Sequence, residues 1–287
     1  MKNVEIIYRY GAQDGAARQR PADAGEARQR LDEGSQAFAA LIASLAEGSE
    51  QASRVIQVDA RDLGLMTENA AGPKQRPFAA VLGCSDARVP IELIFNEGPN
   101  DLFVVRVAGN GLGNEVLGSL KYAIEHLGGS LKVVVVLGHS GCGALSAAVD
   151  VFLEPARYLA LATSHPLRNI LDRLLVVVQA SAKKLLEAFG PDVIRKAGYR
   201  NALIESSIIT NAALGAYTLQ QEMGSRAAPD GLRAVYGVYV LETRQVWAPR
   251  HGTATFTGLA DPPGNFADFV EFGDAVIRSD RISSLLG

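Results

Sequence analysis

Four side chains in this sequence have the types and spacing to hold and use a metal ion. Cys84 and Asp86 stand in Cys84-Ser85-Asp86-Ala87-Arg88. His139 and Cys142 stand in His139-Ser140-Gly141-Cys142-Gly143. Cys84 and Cys142 are the only cysteines in the chain. Zinc takes thiolate and imidazole in tetrahedral geometry, and a catalytic zinc keeps three protein ligands and an open fourth position. Cys84, His139 and Cys142 supply such a set, so Zn2+ is the cofactor these residues imply. The His-x-x-Cys spacing puts two ligands on one tight turn, where Gly141 and Gly143 let the backbone bend. Cys142, at a helix start, gains from the positive end of the helix dipole, which favours thiolate. A lone buried cysteine is ordinarily a small core residue; here both fall at predicted strand ends that lie side by side. Asp86 and Arg88, two apart, share a face if the segment is extended. A two-pronged contact from Arg88 would fix the carboxylate and keep it ionised. The alternative is a surface ion pair worth about 0 to 1 kcal/mol. Asp86 is then placed to orient a zinc-bound hydroxide, or to take the fourth zinc position in a resting form.

The elements that must position these groups are legible in the stretch from Lys74 to Val149. Residues 78 to 83 are a short apolar run ending at Cys84, as in a strand buried on both faces. A short helix over 89 to 97 follows, then a strand over 101 to 107 and a helix over 114 to 127. A third strand, 131 to 137, leads to His139, and a helix begins at Gly141. This alternation predicts an α/β fold: a central, mostly parallel β-sheet flanked by helices on both faces. Ligands in such sheets bind beyond the carboxyl ends of the strands. Cys84 is placed at one such end, and His139 two residues past another.

Outside that stretch, residues 1 to 22 read as irregular, and Asp23 can cap a helix over 24 to 45. Residues 50 to 65 are ambiguous, with some strand character. Residues 154 to 225 read as mainly helical, 234 to 241 as a fourth strand, and the tail after Trp247 ends in a short helix. The expected organisation is an irregular arm over 1–23, one zinc domain over 24–247 and a C-terminal extension over 248–287 packed on it. A chain of 287 residues, 48% hydrophobic, suffices for one large domain. Its net charge of -3 gives no bulk attraction to nucleic acid or anionic membrane. Two cysteines are too few for a disulfide framework. No leader and no run of 18 apolar residues is visible. The expectation is a cytoplasmic protein acting on a small molecule, with neither nucleic acid nor membrane as partner.

The motifs together resemble the β-class carbonic anhydrases. The matching pieces are CSDARVP (84–90), LFVVRVAGN (102–110), SLKYAIEHLG (119–128) and LGHSGCGAL (137–145). ARQRLDEGSQAF (27–38) and GVYVLETRQV (237–246) match more loosely the family's N-terminal helix and last core strand. The resemblance implies reversible hydration of CO2 to bicarbonate and a proton by zinc-bound hydroxide, with Asp86 and Arg88 as catalytic pair. It implies substrate-binding roles for Gln75, Phe103, Ala108, Tyr122 and the backbone N–H of Gly143. It implies a homodimer or higher homo-oligomer, with an N-terminal helix wrapping the partner and pockets at the interface. There are departures. The segment from Tyr122 to His139 is two residues longer than usual, around Gly128-Gly129-Ser130. Val107 stands where the family frequently has Asn, and Val240 and Arg244 replace a common Asp and Gly. Residues 154–200 and the tail have no counterpart. His126, His165 and His251 are weak candidates for a proton shuttle. Two rival readings use the same zinc site: a hydrolase of carbonyl sulfide or carbon disulfide, and a non-catalytic zinc-binding regulatory homologue.

Overall fold

The computed structural model describes residues 3–11, 19–48, 50–65, 72–161, 165–224, 231–249 and 257–287. Within the stretch expected to be irregular lies a strand, β1 (Asn3–Gly11). Its sequence, rich in β-branched and aromatic residues, suits a half-buried strand: Val4, Ile6 and Tyr8 are half-buried, while Glu5, Ile7 and Arg9 are exposed. After it, α1 (Ala24–Ala46) begins where the Asp23 carboxylate accepts the N–H of Glu26. Glu26 in turn accepts the N–H of Ala22 at 2.8 Å, so each side chain satisfies a free donor at the helix start. The ambiguous segment after α1 resolves as β2 (Gln51–Asp59), parallel to β1 in full register, Asn3 opposite Gln51 and Gly11 opposite Asp59.

The remaining elements form the main body. They are β3 (Ala79–Gly83), α2 (Ile91–Phe95), β4 (Leu102–Arg106), α3 (Asn114–His126), β5 (Val133–His139), α4 (Gly143–Leu153), α5 (Ala156–Leu161), α6 (His165–Phe189), α7 (Tyr199–Met223), β6 (Arg233–Tyr239), β7 (Val246–Trp247), α8 (Phe266–Arg278) and α9 (Asp280–Ser283). The sheet runs β4-β3-β5-β6-β7. Its first four strands are parallel and β7 is antiparallel. This is the expected α/β architecture. β3 and β5 are buried along their whole length, and their unbroken apolar sequences follow from helices covering both faces. On one face lie Leu31 and Phe38 of α1 with Ile91, Ile94 and Phe95 of α2. On the other lie Leu120, Leu145, Leu174 and Ile208 from α3, α4, α6 and α7.

Three details differ from the sequence reading. His139 is the last residue of β5, paired with Tyr239, rather than two residues beyond the strand; β6 lies alongside and extends the ladder. His165 opens α6 instead of lying in a loop, and His251 lies outside the described residues. The C-terminal residues pack against the body through rings: Phe269 sits edge-on to Tyr217 at 5.3 Å, and Phe272 edge-on to Tyr236 at 5.8 Å. Among the described residues no helix is long and apolar enough to cross a membrane.

Candidate metal centre

Cys84 follows β3, His139 ends β5 and Cys142 precedes α4. Because β3 and β5 are neighbours, their carboxyl ends bring together residues 58 apart in sequence: the sulfurs of Cys84 and Cys142 are 4.0 Å apart. The donor atoms of Cys84, His139 and Cys142 all lie within 4.8 Å of one another, and all three residues are buried. His139 Nδ1 is 3.0 Å from the carbonyl oxygen of Ser140. That oxygen can only accept, so Nδ1 carries the proton and Nε2 presents its lone pair. Nε2 is fully buried and has no hydrogen-bond partner. A buried acceptor left bare is costly unless something else satisfies it. A cation between the two sulfurs and this nitrogen does so, and the soft, mixed donor set fits zinc.

The electrostatics agree. The Cys84 thiol is lowered, first because Cys142 donates to its sulfur and further through the N–H of Gly109 at 3.4 Å. Cys142 is pushed up by that same contact with Cys84 and by burial. The pair thus shares one proton, which a cation bound by both sulfurs would displace. Asp86 Oδ2 lies 3.8 Å from His139 Nε2, on the rim of the cluster. Arg88 grips the carboxylate through Nε at 3.0 Å, Nη2 at 2.7 Å and its own backbone N–H at 2.9 Å. The pair therefore sits on a tight turn, not on the extended segment expected. Arg88 holds the Asp86 carboxyl well below the usual range, with His139 contributing.

Several supporting residues were not singled out from the sequence. Arg106, at the end of β4, donates to the carbonyl oxygens of Cys84 and Asp86 and so fixes the loop that carries both. Asn211 of α7 donates to the Gly109 carbonyl at 2.9 Å. Glu205 of α7 accepts the Gly141 N–H at 2.8 Å and is itself held by Arg281 of α9 at 2.6 Å. Ser140 donates to Glu242 at 3.0 Å and accepts the Leu241 N–H at 2.9 Å. The signal available was polarity out of place: between Ala202 and Leu219 of α7, Glu205 is the only charged residue and Asn211 the only amide.

Comparison with known proteins decides the family. A family model described as carbonic anhydrase matches residues 79–240, more than half of the chain. The chain belongs to the carbonic anhydrase family. It is 48% identical over 80 residues to a carbonic anhydrase of Mycolicibacterium smegmatis, covering 28% of this chain and 38% of that one. It is 49% identical over 80 residues to carbonic anhydrase 2 of Mycobacterium tuberculosis, covering 28% of this chain and 37% of that one. The match thus spans under two fifths of either relative. The β-carbonic anhydrase CcaA shares the fold, with a TM-score of 0.51 at 24% identity over 64% of this chain and 78% of that one.

Within this carbonic anhydrase family member, the five residues carried over as pocket groups separate into two sets. Ala108 and Gly143 border the cluster: Ala108 precedes Gly109, and Gly143 opens α4 beside Cys142 with open space where a side chain would project. Gln75, Phe103 and Tyr122 are not brought to the chain's own cluster. Gln75 precedes β3, at the opposite end of that strand from Cys84. Asn100 holds it there by binding the Arg76 N–H and the Lys74 carbonyl. Phe103 pairs with Ala80, near the start of β3. Tyr122, 49% exposed, stacks on His126 at 4.6 Å on the outer side of α3.

Proposed function

We propose that the chain binds zinc through Cys84, His139 and Cys142 and catalyses the reversible hydration of CO2 to bicarbonate and a proton. The observation that carries this reading is the juxtaposition of three buried ligand atoms, one of them an unsatisfied imidazole nitrogen, with an ionised carboxylate 3.8 Å from that nitrogen. Zinc, when bound, acts as a Lewis acid and brings the ionisation of water to about neutral pH. Asp86, kept anionic by Arg88, accepts a hydrogen bond from the attacking water and turns its lone pair toward the substrate carbon. Asp86 lies close enough to His139 Nε2 to serve instead as a fourth ligand in a resting form. Gly143 directs its backbone N–H to bicarbonate, and Ala108 leaves room for CO2. His139, fixed by Ser140, and Cys142, on a turn held by Glu205, keep the donor set in place without rearrangement.

Gln75, Phe103 and Tyr122 point to a site completed by a second copy, since the chain's own cluster lies beyond their reach. A homodimer or larger homo-oligomer supplies them across the interface. Reduced, metal-binding cysteines suit the cytoplasm.

Stopped-flow CO2 hydration and metal analysis on zinc-loaded protein test the reading. Cys84→Ser is expected to lose zinc and rate together. Asp86→Ala is expected to keep zinc and lose roughly 100-fold or more in rate. A wild type no faster than Asp86→Ala ends the proposal. A parallel assay with carbonyl sulfide distinguishes the neighbouring chemistry.

A further inference from the structure

β1 and β2 form a sheet of only two strands. One face of it is packed on the body, through Ile6 and the buried Ala52, Ile56 and Val58, which supports so small a sheet but leaves its edges unpaired by any described strand. In a strand, alternate residues turn their backbone N–H and C=O to opposite sides. The Asn3 N–H bonds to the Glu50 carbonyl at 2.9 Å, so odd-numbered residues of β1 face β2. Val4, Ile6, Tyr8 and Tyr10 therefore direct their backbone polar groups to the other edge, where no described strand lies. An edge of nine residues without proline is a template for another strand.

The side chains on this edge are self-complementary in one register. Glu5, Ile7 and Arg9 share the exposed face. Antiparallel pairing of two β1 strands about Ile7 sets Glu5 opposite Arg9 of the second copy, Arg9 opposite Glu5, and Ile7 opposite Ile7. On the other face Val4 meets Tyr10 and Ile6 meets Tyr8. The even-numbered pairs are then the hydrogen-bonded ones, giving roughly eight bonds at two per pair. The odd-numbered pairs are the closer, non-bonded kind, with Cα atoms about 4.5 Å apart, so the opposite charges meet directly. Sliding by two residues removes both charge pairs; sliding by four sets Glu5 against Glu5 or Arg9 against Arg9. The free edge of β2 has no such register: about Val55 it sets Arg54 against Ile56 and Ser53 against Gln57.

We propose that β1 is a homotypic docking edge: two copies join antiparallel at Ile7 and form a four-stranded sheet in the order β2-β1-β1-β2. This contact uses an isologous two-fold, which closes on itself and does not propagate.

Two measurements on the full-length, zinc-loaded protein test it. By light scattering, Glu5→Arg and Arg9→Glu should each halve the solution mass, and the double charge swap should restore it. Under mild oxidation, Ile7→Cys should form a covalent dimer on a non-reducing gel, while Ser53→Cys on β2 should not. Masses unchanged by both single reversals, or equal cross-linking at Ile7 and Ser53, overturn the proposal. Because the cysteine pair is read by cross-linking alone, it decides the matter even if a charge reversal fails to fold. Neither readout depends on which reaction the metal centre performs.

Discussion

Cys84 and Asp86 are two residues apart and are held by different means. Cys84 is bound inward, by Cys142 and the Gly109 N–H. Asp86 is bound outward, by an arginine that is mostly exposed, with 62% of its side chain accessible. A carboxyl lowered in the folded state adds stability above its unfolded value, near 3.9, and loses it as pH falls through the folded one. The contribution of Asp86 is therefore lost only in strong acid. It is small, because water and salt screen the exposed guanidinium. The consequence for activity is larger. Without Arg88 the carboxyl rises toward its ordinary range. That range still lies well below the near-neutral ionisation expected of zinc-bound water, so the acid limb should stay in place; Arg88→Ala should instead lower the plateau rate of CO2 hydration, because the carboxylate loses its fixed aim, while zinc content stays at the wild-type level. Arg88→Lys should fall between, since an ammonium cannot reproduce the two-pronged contact. A wild-type plateau rate in Arg88→Ala would remove this residue from any positioning role.

Among the elements, the most legible were those read from apolar runs. β3 and β5 were visible because burial on both faces leaves their runs almost wholly apolar, and the sequence motifs at their ends marked Cys84, His139 and Cys142, which the fold brings together. β1 was missed because its inward and outward residues are both partly apolar, and Ile7 and Tyr10 blur the alternation of period two. The end of β5 was misjudged because pairing with β6, 100 residues further along the chain, decides where it stops. The clamp on the metal turn was illegible for the same reason: Glu205 and Arg281 meet Gly141 only through the packing of α7 and α9. That clamp carries a prediction at this scale. Glu205→Gln should weaken the hold on the Gly141 turn, and Arg281→Met should free Glu205 from its anchor. Groups that orient metal ligands commonly change affinity by about 10 to 100-fold. Chelator competition should show a loss in that range for each variant, with helix content by circular dichroism unchanged. Wild-type affinity in both would mean that the tail only packs.

At the scale of the whole molecule, the metal centre ties separate parts of the fold to one another. Its loops are fastened to β4 through Arg106, to α7 through Asn211 and Glu205, and through Glu205 to α9 and the C-terminal residues. Occupancy of the centre should therefore be felt in global stability. With free zinc at about 100 times its dissociation constant, the linkage is about 2.7 kcal/mol, or about 5 °C in a chain of this size. A thermal melt with and without chelator should show it for wild type and not for Cys84→Ser. The placement of Cys84 and Cys142 has one more consequence, in the entropy of the chain. They stand just past the ends of β3 and β5, which are adjacent in the sheet but not consecutive in the chain, since α2, β4 and α3 intervene. A cation gripping both would close a loop of 58 residues. By the arithmetic used for disulfides, that removes about 4 kcal/mol of freedom from the unfolded chain. The looped-out edge unit could then fray and reseal while the central strands stay joined.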